Sequence, residues 1–505
     1  MRSIEILDTT LRDGEQTSGV AFSAPEKLSI ARKLLEEVKV DRIEVASARV
    51  SDGELECVKA VCQWAAEAGM LQRVEVLGFC DDGKSIQWIK DAGARVLNLL
   101  CKGSEKHCRG QLSKTPEEHF ADIQRNVLMA VEAGLEVNVY LEDWSNGMKS
   151  SPDYVFQMVD ALKHTPIRRF MLPDTLGVLS PRETRQFVRQ MVERYPDVHF
   201  DFHAHNDYDL AVANVLNAVE EGCSGIHCTV NGLGERAGNA SLASVVAVLN
   251  DMASVEISVE EKSIVSASRM VESYSGMALA ANQPIVGENV FTQTAGVHAD
   301  GDKKAGLYVN RLLPERFGRS REYALGKMSG KANIEQNLRL LGINLSEEDM
   351  RKVTHRINEL GDKKEKVTID DLPFIISDVL HHTSARERIK LVSYMVSTAY
   401  GLHPQAVVKL EVDGKQYEES ATGDGQYDAF VRAVRHIYRN ALGRTFPWLS
   451  NYQVTIPPGG RTDALVQTAI SWQYEGKTYR TRGLDADQTE AAIKATIKML
   501  NLLEE

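Results

Sequence analysis

Read alone, the sequence predicts a (β/α)8 (TIM) barrel followed by a helical linker region and a C-terminal α+β domain. Three observations carry this reading. Eight short apolar runs alternate with helix-period segments over the first half of the 505 residues, the alternation stops after Leu249, and new alternating strands begin beyond about Lys390. The expected division is 1–255 for the barrel, 256–385 for the linker subdomains and 386–505 for the last domain.

The expected barrel strands are Ile4–Asp8, Arg42–Ala46, Val74–Phe79, Val96–Leu100, Glu136–Glu142, Arg169–Asp174, His199–His205 and Gly225–Asn231. Between them apolar residues recur at helical spacing, as in Leu28, Ala31, Leu34, Leu35 and Val38, which suits helices packed on a sheet. Eight strand-helix units is the number at which a parallel sheet closes. An open doubly wound sheet is the competing architecture, but no Gly-x-Gly-x-x-Gly follows the first strand. From Ser254 to Leu380 the pattern is of helices joined by Gly- and charge-rich turns, Ala299–Lys304 among them. Further on, Ala406–Val412 and Tyr452–Ile456 read as strands, and Asp428–Ala441 and Gln488–Leu503 as helices. Gly-rich turns stand at Thr422–Gly425 and Pro457–Gly460.

Composition narrows the function classes. Apolar residues make up 43% and charged residues 26%, a globular mix that excludes a disordered or collagen-like chain. The net charge of −12 would repel polyphosphates, so nucleic acid is not an expected partner. No apolar run approaches the ~20 residues of a membrane span, and the N-terminus reaches Glu5, Asp8 and Asp13 with no signal-peptide core. Seven scattered cysteines without a Cys-x-x-Cys pair read as buried thiols of a reduced, cytoplasmic protein.

In such a barrel the reacting groups sit at the C-terminal ends of the strands. There the sequence places Asp8–Gln16, Glu142-Asp143, Pro173-Asp174-Thr175, His203–Asp207 and Asn231–Asn239. His203 and His205, two apart on one strand, project to the same side and can converge on one ion. Asp13 across the mouth would complete two nitrogens and one oxygen, a set that leaves coordination positions open for substrate. Zn2+, Mn2+, Mg2+ and Co2+ all suit it. Asn239 reads equally as a further oxygen ligand or as a turn residue. Arg12, permanently charged beside Asp13, reads as the stabiliser of an oxygen that becomes negative during reaction, with a salt bridge to Glu15 or Asp174 as the plainer role. Glu142 ends the apolar run Val137–Leu141 and reads as a proton-abstracting base enclosed by apolar walls, with helix capping as the alternative.

With these residues in view the chain resembles the acetyl-CoA-dependent 2-oxo acid condensing enzymes, the isopropylmalate, homocitrate and citramalate synthases. The resemblance rests on Leu11–Gln16, His203–Asp207, Asn231–Asn239, Gly296–Gly301 and the Gly-rich C-terminal domain, and spans nearly the whole chain. It implies a divalent ion held by Asp13, His203 and His205, with Arg12 and Glu142 catalytic and acetyl-CoA as co-substrate. It adds His298 and Tyr308 from the linker, which in such enzymes reach the active site of the other subunit of a homodimer. It makes the C-terminal domain a feedback sensor, with isoleucine the expected effector.

The stretches Val139–Gly147, Glu44–Val50 and Phe291–Gly296 look like the bacterial citramalate synthases. Tyr140, with Leu77 and Leu100, would fill the space an isopropyl group needs, and Thr175 joins this substrate-binding set. The expected reaction is therefore condensation of acetyl-CoA with pyruvate to (R)-citramalate. The sister reaction on 2-oxoisovalerate, giving 2-isopropylmalate, is the alternative. A carbon-carbon lyase would not need the large C-terminal domain, and a non-enzymatic amino-acid-binding protein would not need the intact rim residues.

Overall fold

The computed structural model describes residues 1–294, 307, 309–326, 329–362, 367, 369, 372, 375–376, 379, 388–455, 466–485 and 487–503. Eight parallel strands close into a barrel in chain order: β1 (Glu5–Asp8), β2 (Arg42–Ser47), β3 (Val74–Phe79), β4 (Val96–Lys102), β5 (Glu136–Glu142), β6 (Ile167–Asp174), β7 (Phe200–Ala204) and β8 (Gly225–Cys228). The ring shuts where β1 pairs with β8, from Glu5 opposite Gly225 to Asp8 opposite Cys228. The last strand ends earlier than its apolar pattern predicts. The N–H of Val230 bonds to the Thr10 hydroxyl at 2.8 Å instead of a neighbouring strand, and Asn231 turns the chain with φ 61°.

Local chemistry sets where the surrounding helices begin. Ser23, Thr115 and Ser180 each form a reciprocal capping box with a glutamate three residues on, and a proline opens each of these helices. In the helix Pro116–Glu132, Phe120, Ile123, Val127 and Ala130 are buried at helical spacing and join one core between helices and sheet. Helix Ile264–Ser275, beyond the barrel's last strand, adds Ile264, Ala267 and Val271 to the same core.

Inside the barrel, alternation stacks side chains in steps of two residues. On β3 the inward series is Glu75, Leu77, Phe79; on β4 Asn98, Leu100, Lys102; on β5 Asn138, Tyr140, Glu142; on β7 Asp201, His203 and, just past the strand, His205. The lowest of these layers is polar and bonded across strands. Arg42 donates to Glu75 at 2.9 Å and Asp201 at 2.6 Å and lies 3.1 Å from Glu5. The Asn98 amide donates to Glu44 at 2.8 Å and Glu75 at 2.9 Å, and Asn138 donates to Asn98. Burial alone would push Asp201 up, but Arg42 and hydrogen bonds from His199 and His227 hold it well below the usual carboxylate range. Above lies an apolar layer of Leu7, Leu77, Tyr140 and Met171, edged by Leu100.

The described residues divide into two compact units, one holding the barrel through Thr292 together with the stretch that ends at Glu322, the other holding Gln293 and Thr294 and the chain from Tyr323 onward. In the second unit, helices Lys331–Leu340 and Glu347–Asp362 share a small core of Ile334, Leu338, Val353 and Ile357. Its C-terminal part is α+β. Antiparallel sheets β9 (Ile389–Ser397), β10 (Gln405–Val412), β11 (Lys415–Thr422) and β12 (Trp448–Thr455), β13 (Val466–Tyr474), β14 (Lys477–Asp485) carry helices Gln426–His436 and Gln488–Leu502. Phe430, Val434, Trp472, Ile493 and Met499 fill the core between them. Among the described residues no helix is long and apolar enough to cross a membrane.

Removing the cation of the lumen would strand two buried carboxylates. Arg42→Met is therefore expected to lower stability by about 3–5 kcal/mol near neutral pH, read from urea unfolding. Because the folded pKa of Asp201 is depressed, its contribution is present above the unfolded value and is lost as pH falls. The gap between wild type and variant is expected to narrow below about pH 4.

Candidate active site

The site grows from the turn that follows β1. The carbonyl of Thr9 accepts the N–H groups of Arg12, Asp13 and Gly14 at 2.8–3.1 Å, winding the chain so that Arg12 and Asp13 face the barrel mouth. Asp8 fixes the start of that turn by accepting the N–H of Thr10 at 2.9 Å. Opposite, His203 is the penultimate residue of β7 and His205 follows the strand, their ring centroids 5.1 Å apart. The Nε2 atoms of His203 and His205 lie 3.2 and 3.8 Å from Asp13 Oδ2.

Asn239 comes from the loop after β8, where it bridges to His205. Its amide nitrogen donates to Asp13 Oδ2 at 3.1 Å and to the Leu233 carbonyl at 3.0 Å. This close tuck explains one glycine of the loop. A Cβ on Gly234, whose φ is +156°, would stand 2.2 Å from the Asn239 amide nitrogen. Asn239 thus orients the Asp13 carboxylate, and its own Oδ1 is buried without a hydrogen-bond partner among the described residues.

The donor set suits a cation. Ligand atoms of Asp13, His203 and His205 all lie within 4.8 Å of one another, near the roughly 3.0–3.4 Å separation of groups bound to one ion at ~2.1 Å. Burial lowers both imidazoles, His205 to about 4, helped by its neighbour His203, so both are neutral and offer lone pairs. Burial opposes ionisation of Asp13, but the Arg12 charge and the His203 hydrogen bond hold it below the usual carboxylate range. Asp13 Oδ1 and Asn239 Oδ1 are buried and take no hydrogen bond among the described residues, which leaves both free to coordinate a cation.

Arg12, Asp13, His203 and His205 rim a cavity of about 240 Å³ that also takes in Leu77, Leu100, Tyr140, Glu142 and Thr175. Arg12 differs from its plainer expected role. Glu15 is taken by Lys27 at 2.7 Å, Asp174 accepts the backbone N–H groups of Val178 and Leu179, and the partner of Arg12 is the fully buried Glu44, 2.6 Å from Nε. Glu142 is not enclosed by apolar walls. It stands opposite Lys102 in the β4–β5 register and its carboxylate takes a hydrogen bond from that ammonium. The Tyr140 hydroxyl lies 3.0 Å from His227 Nδ1, 3.4 Å from Glu44 and 3.5 Å from Arg12 Nη2. Thr175 Oγ1 accepts the N–H of Asp143 at 2.9 Å. His298 and Tyr308 lie outside the described residues.

Sequence patterns do not single out Glu44, Lys102 or His227, nor Gln16, Ser47, Phe79 and Glu235, which also line the cavity. Lys102, two residues beyond the wall residue Leu100, could have been found as an inward position.

Residues 3–271 match the HMGL-like family model, residues 285–365 the homocitrate synthase post-HMGL domain-like model, and residues 366–504 the LeuA allosteric (dimerisation) domain. A protein of Methanopyrus kandleri described as "Probable 2-isopropylmalate synthase" is 36% identical over 99% of this chain and 98% of its own length. Two proteins of Methanocaldococcus jannaschii match almost equally: a 2-isopropylmalate synthase, 32% identical over 99% of this chain and 94% of its own, and an (R)-citramalate synthase, 33% identical over 99% of each. The chain belongs to the 2-isopropylmalate and (R)-citramalate synthase family. Members of this synthase family are transferases that condense acetyl-CoA with a 2-oxo acid, and HMGL-like proteins use a divalent metal. The three relatives are archaeal, so they lend nothing to the bacterial likeness read from the pocket strands.

Since the Asn239 amide holds Asp13 in place, Asn239→Ala is expected to weaken Mn2+ binding about 10–100-fold in calorimetric titration. The fold, judged by circular dichroism, should not change.

Proposed function

We propose that the chain condenses acetyl-CoA with pyruvate, hydrolyses the thioester and releases (R)-citramalate and CoA, acting in the cytoplasm on the route to isoleucine. The observation that carries the choice of oxo acid is the position of Tyr140. It lines the cavity with Leu77 and Leu100, and its hydroxyl is bonded away from the cavity toward His227 and Glu44, so the ring is fixed as a wall. A rigid wall excludes a branched tail more effectively than an apolar contact favours one, since one methylene changes affinity by only about 1–3 kcal/mol.

Asp13, His203 and His205 would hold a divalent ion, which supplies Lewis acidity toward the keto group and charge for the carboxylate of the oxo acid. Thr175 spends its oxygen lone pair on the N–H of Asp143 and keeps its proton to donate to substrate. Arg12 has its Nε committed to Glu44, which aims the rest of the guanidinium at the mouth, where a negative oxygen develops as the new carbon-carbon bond forms. Glu142, positioned by Lys102, would take the proton from the acetyl methyl. His298 and Tyr308 of a partner subunit would complete the site in a homodimer. The C-terminal domain would bind isoleucine as feedback effector.

The 36% identity to a protein described as an isopropylmalate synthase favours a second reading, with 2-oxoisovalerate as substrate and 2-isopropylmalate as product. Turnover of acetyl-CoA with a panel of 2-oxo acids, with and without isoleucine and leucine, decides between them. The expected result is a clear preference for pyruvate that EDTA abolishes and Mn2+ restores. For Tyr140→Ala the ratio of kcat/KM on 2-oxoisovalerate to that on pyruvate is expected to rise at least about tenfold; an unchanged ratio would remove Tyr140 as the selectivity residue.

A further inference from the structure

Two thiols meet on the outer side of the barrel wall, at the C-terminal ends of two neighbouring strands. Cys80 directly follows β3 and Cys101 lies on β4, and their sulfurs are 3.9 Å apart as free thiols. The β3–β4 register pairs Phe79 with Leu100, so the two cysteines occupy the next opposed positions. Adjacent strands lie about 4.8 Å apart, inside the Cα separation of about 4.4–6.8 Å that a disulfide spans. The five other cysteines are buried, whereas Cys80 is half-buried and open to a reagent.

We propose that Cys80 and Cys101 form a reversible intrachain disulfide that switches off the site at the barrel mouth. Each cysteine is joined directly to a pocket wall, Cys80 to Phe79 and Cys101 to Leu100. Cys101 also precedes Lys102, whose side chain bonds Glu142 and whose N–H is held by His119 at 3.1 Å. To bond, the sulfurs must close by nearly 2 Å, to about 2.05 Å. Both side chains turn to make the bond within a Cα separation that already suits it, and the adjustment this leaves at the strand ends falls on Leu100 and on the Lys102–Glu142 pair. A displacement of about 1 Å at reacting groups can reduce turnover by about two orders of magnitude.

The oxidant is a small-molecule disulfide such as oxidised glutathione. The Cys80 thiolate attacks one of its sulfurs and expels a thiolate. Cys101, giving its proton to solvent, then attacks Cys80 Sγ and expels the second. Two protein thiols are oxidised, one disulfide is reduced to two thiols, and the protons lost by the cysteines balance those taken up by the leaving thiolates. A dithiol reductant reverses the exchange.

The consequence for activity rests on the barrel mouth being the site of condensation, while formation of the bond does not. The test treats full-length protein with oxidised glutathione, maps peptides by mass spectrometry without reduction, and follows turnover by loss of thioester absorbance, since thiol reagents would report the cysteines themselves. The expected results are a Cys80–Cys101 linked peptide, at least about tenfold lower kcat/KM, recovery with dithiothreitol, and full resistance of Cys80→Ser, with Cys101→Ser as the second variant. A glutathione adduct on Cys80 without the linked peptide would overturn the proposal. So would a linked peptide with unchanged turnover, or equal loss in Cys80→Ser. If reduced protein fails to turn over acetyl-CoA with any 2-oxo acid, the functional reading fails, and the peptide map still decides whether the thiols pair.

Discussion

A guanidinium shut inside the barrel sets the frame for everything above it. Arg42 is almost wholly buried and meets three carboxylates, Glu5, Glu75 and Asp201, contributed by three other strands. Charges buried in this way are poor sources of net stability, because desolvation offsets most of their attraction. Their use here is geometric. A strand that slipped by one residue would turn its charged side chain out into the apolar core between sheet and helices. Only one register satisfies Arg42, Glu75, Asn98 and Asp201 together, and that register stations Leu77, Leu100, Tyr140 and His203 one layer higher.

The same lattice reaches the site by hydrogen bonds. Asn98 links Glu75 to Glu44, Glu44 takes Arg12, and Asp201 meets His227, which meets Tyr140. Arg12 is therefore held from below by a carboxylate that no solvent reaches, and its orientation does not wait for substrate to arrive. Preorganised groups of this kind lower a barrier because they need no reorganisation as charge develops.

How much of this the sequence reveals depends on whether a feature is periodic within one segment. The barrel is legible because eight strand-helix units repeat, and His203 with His205 is legible because two-residue spacing forces both rings to one side. The partners are not. Lys102 meets Glu142 only through the pairing of β4 with β5, and no pattern inside either strand carries that register. Glu44 and His227 sit singly in apolar runs, where an inward polar residue reads like an outward one until the neighbouring strands are in place. For Arg12 the sequence suggests nearby acids, Glu15 and Asp174, yet the fold gives it one 32 residues away. Proximity along the chain is a weak guide where eight strands converge on one axis.

This layering separates chemistry from selectivity within the barrel. Asp13, His205 and Glu142 stand at the rim, whereas Leu77, Leu100 and Tyr140 form the wall one layer down, level with His203, and Tyr140 lies two residues before Glu142 on the same strand. A change of wall residue alters the room for the tail of an oxo acid without moving the rim, provided the polar layer below still fixes the register. Relatives named for two different products match this chain almost equally, so overall identity to each says little about which tail fits. Tyr140 is a wall residue with its hydroxyl tied into the polar lattice, so its ring has less freedom to yield than an aliphatic side chain of the same reach. That coupling makes the register of the barrel itself part of what sets the room beside Tyr140.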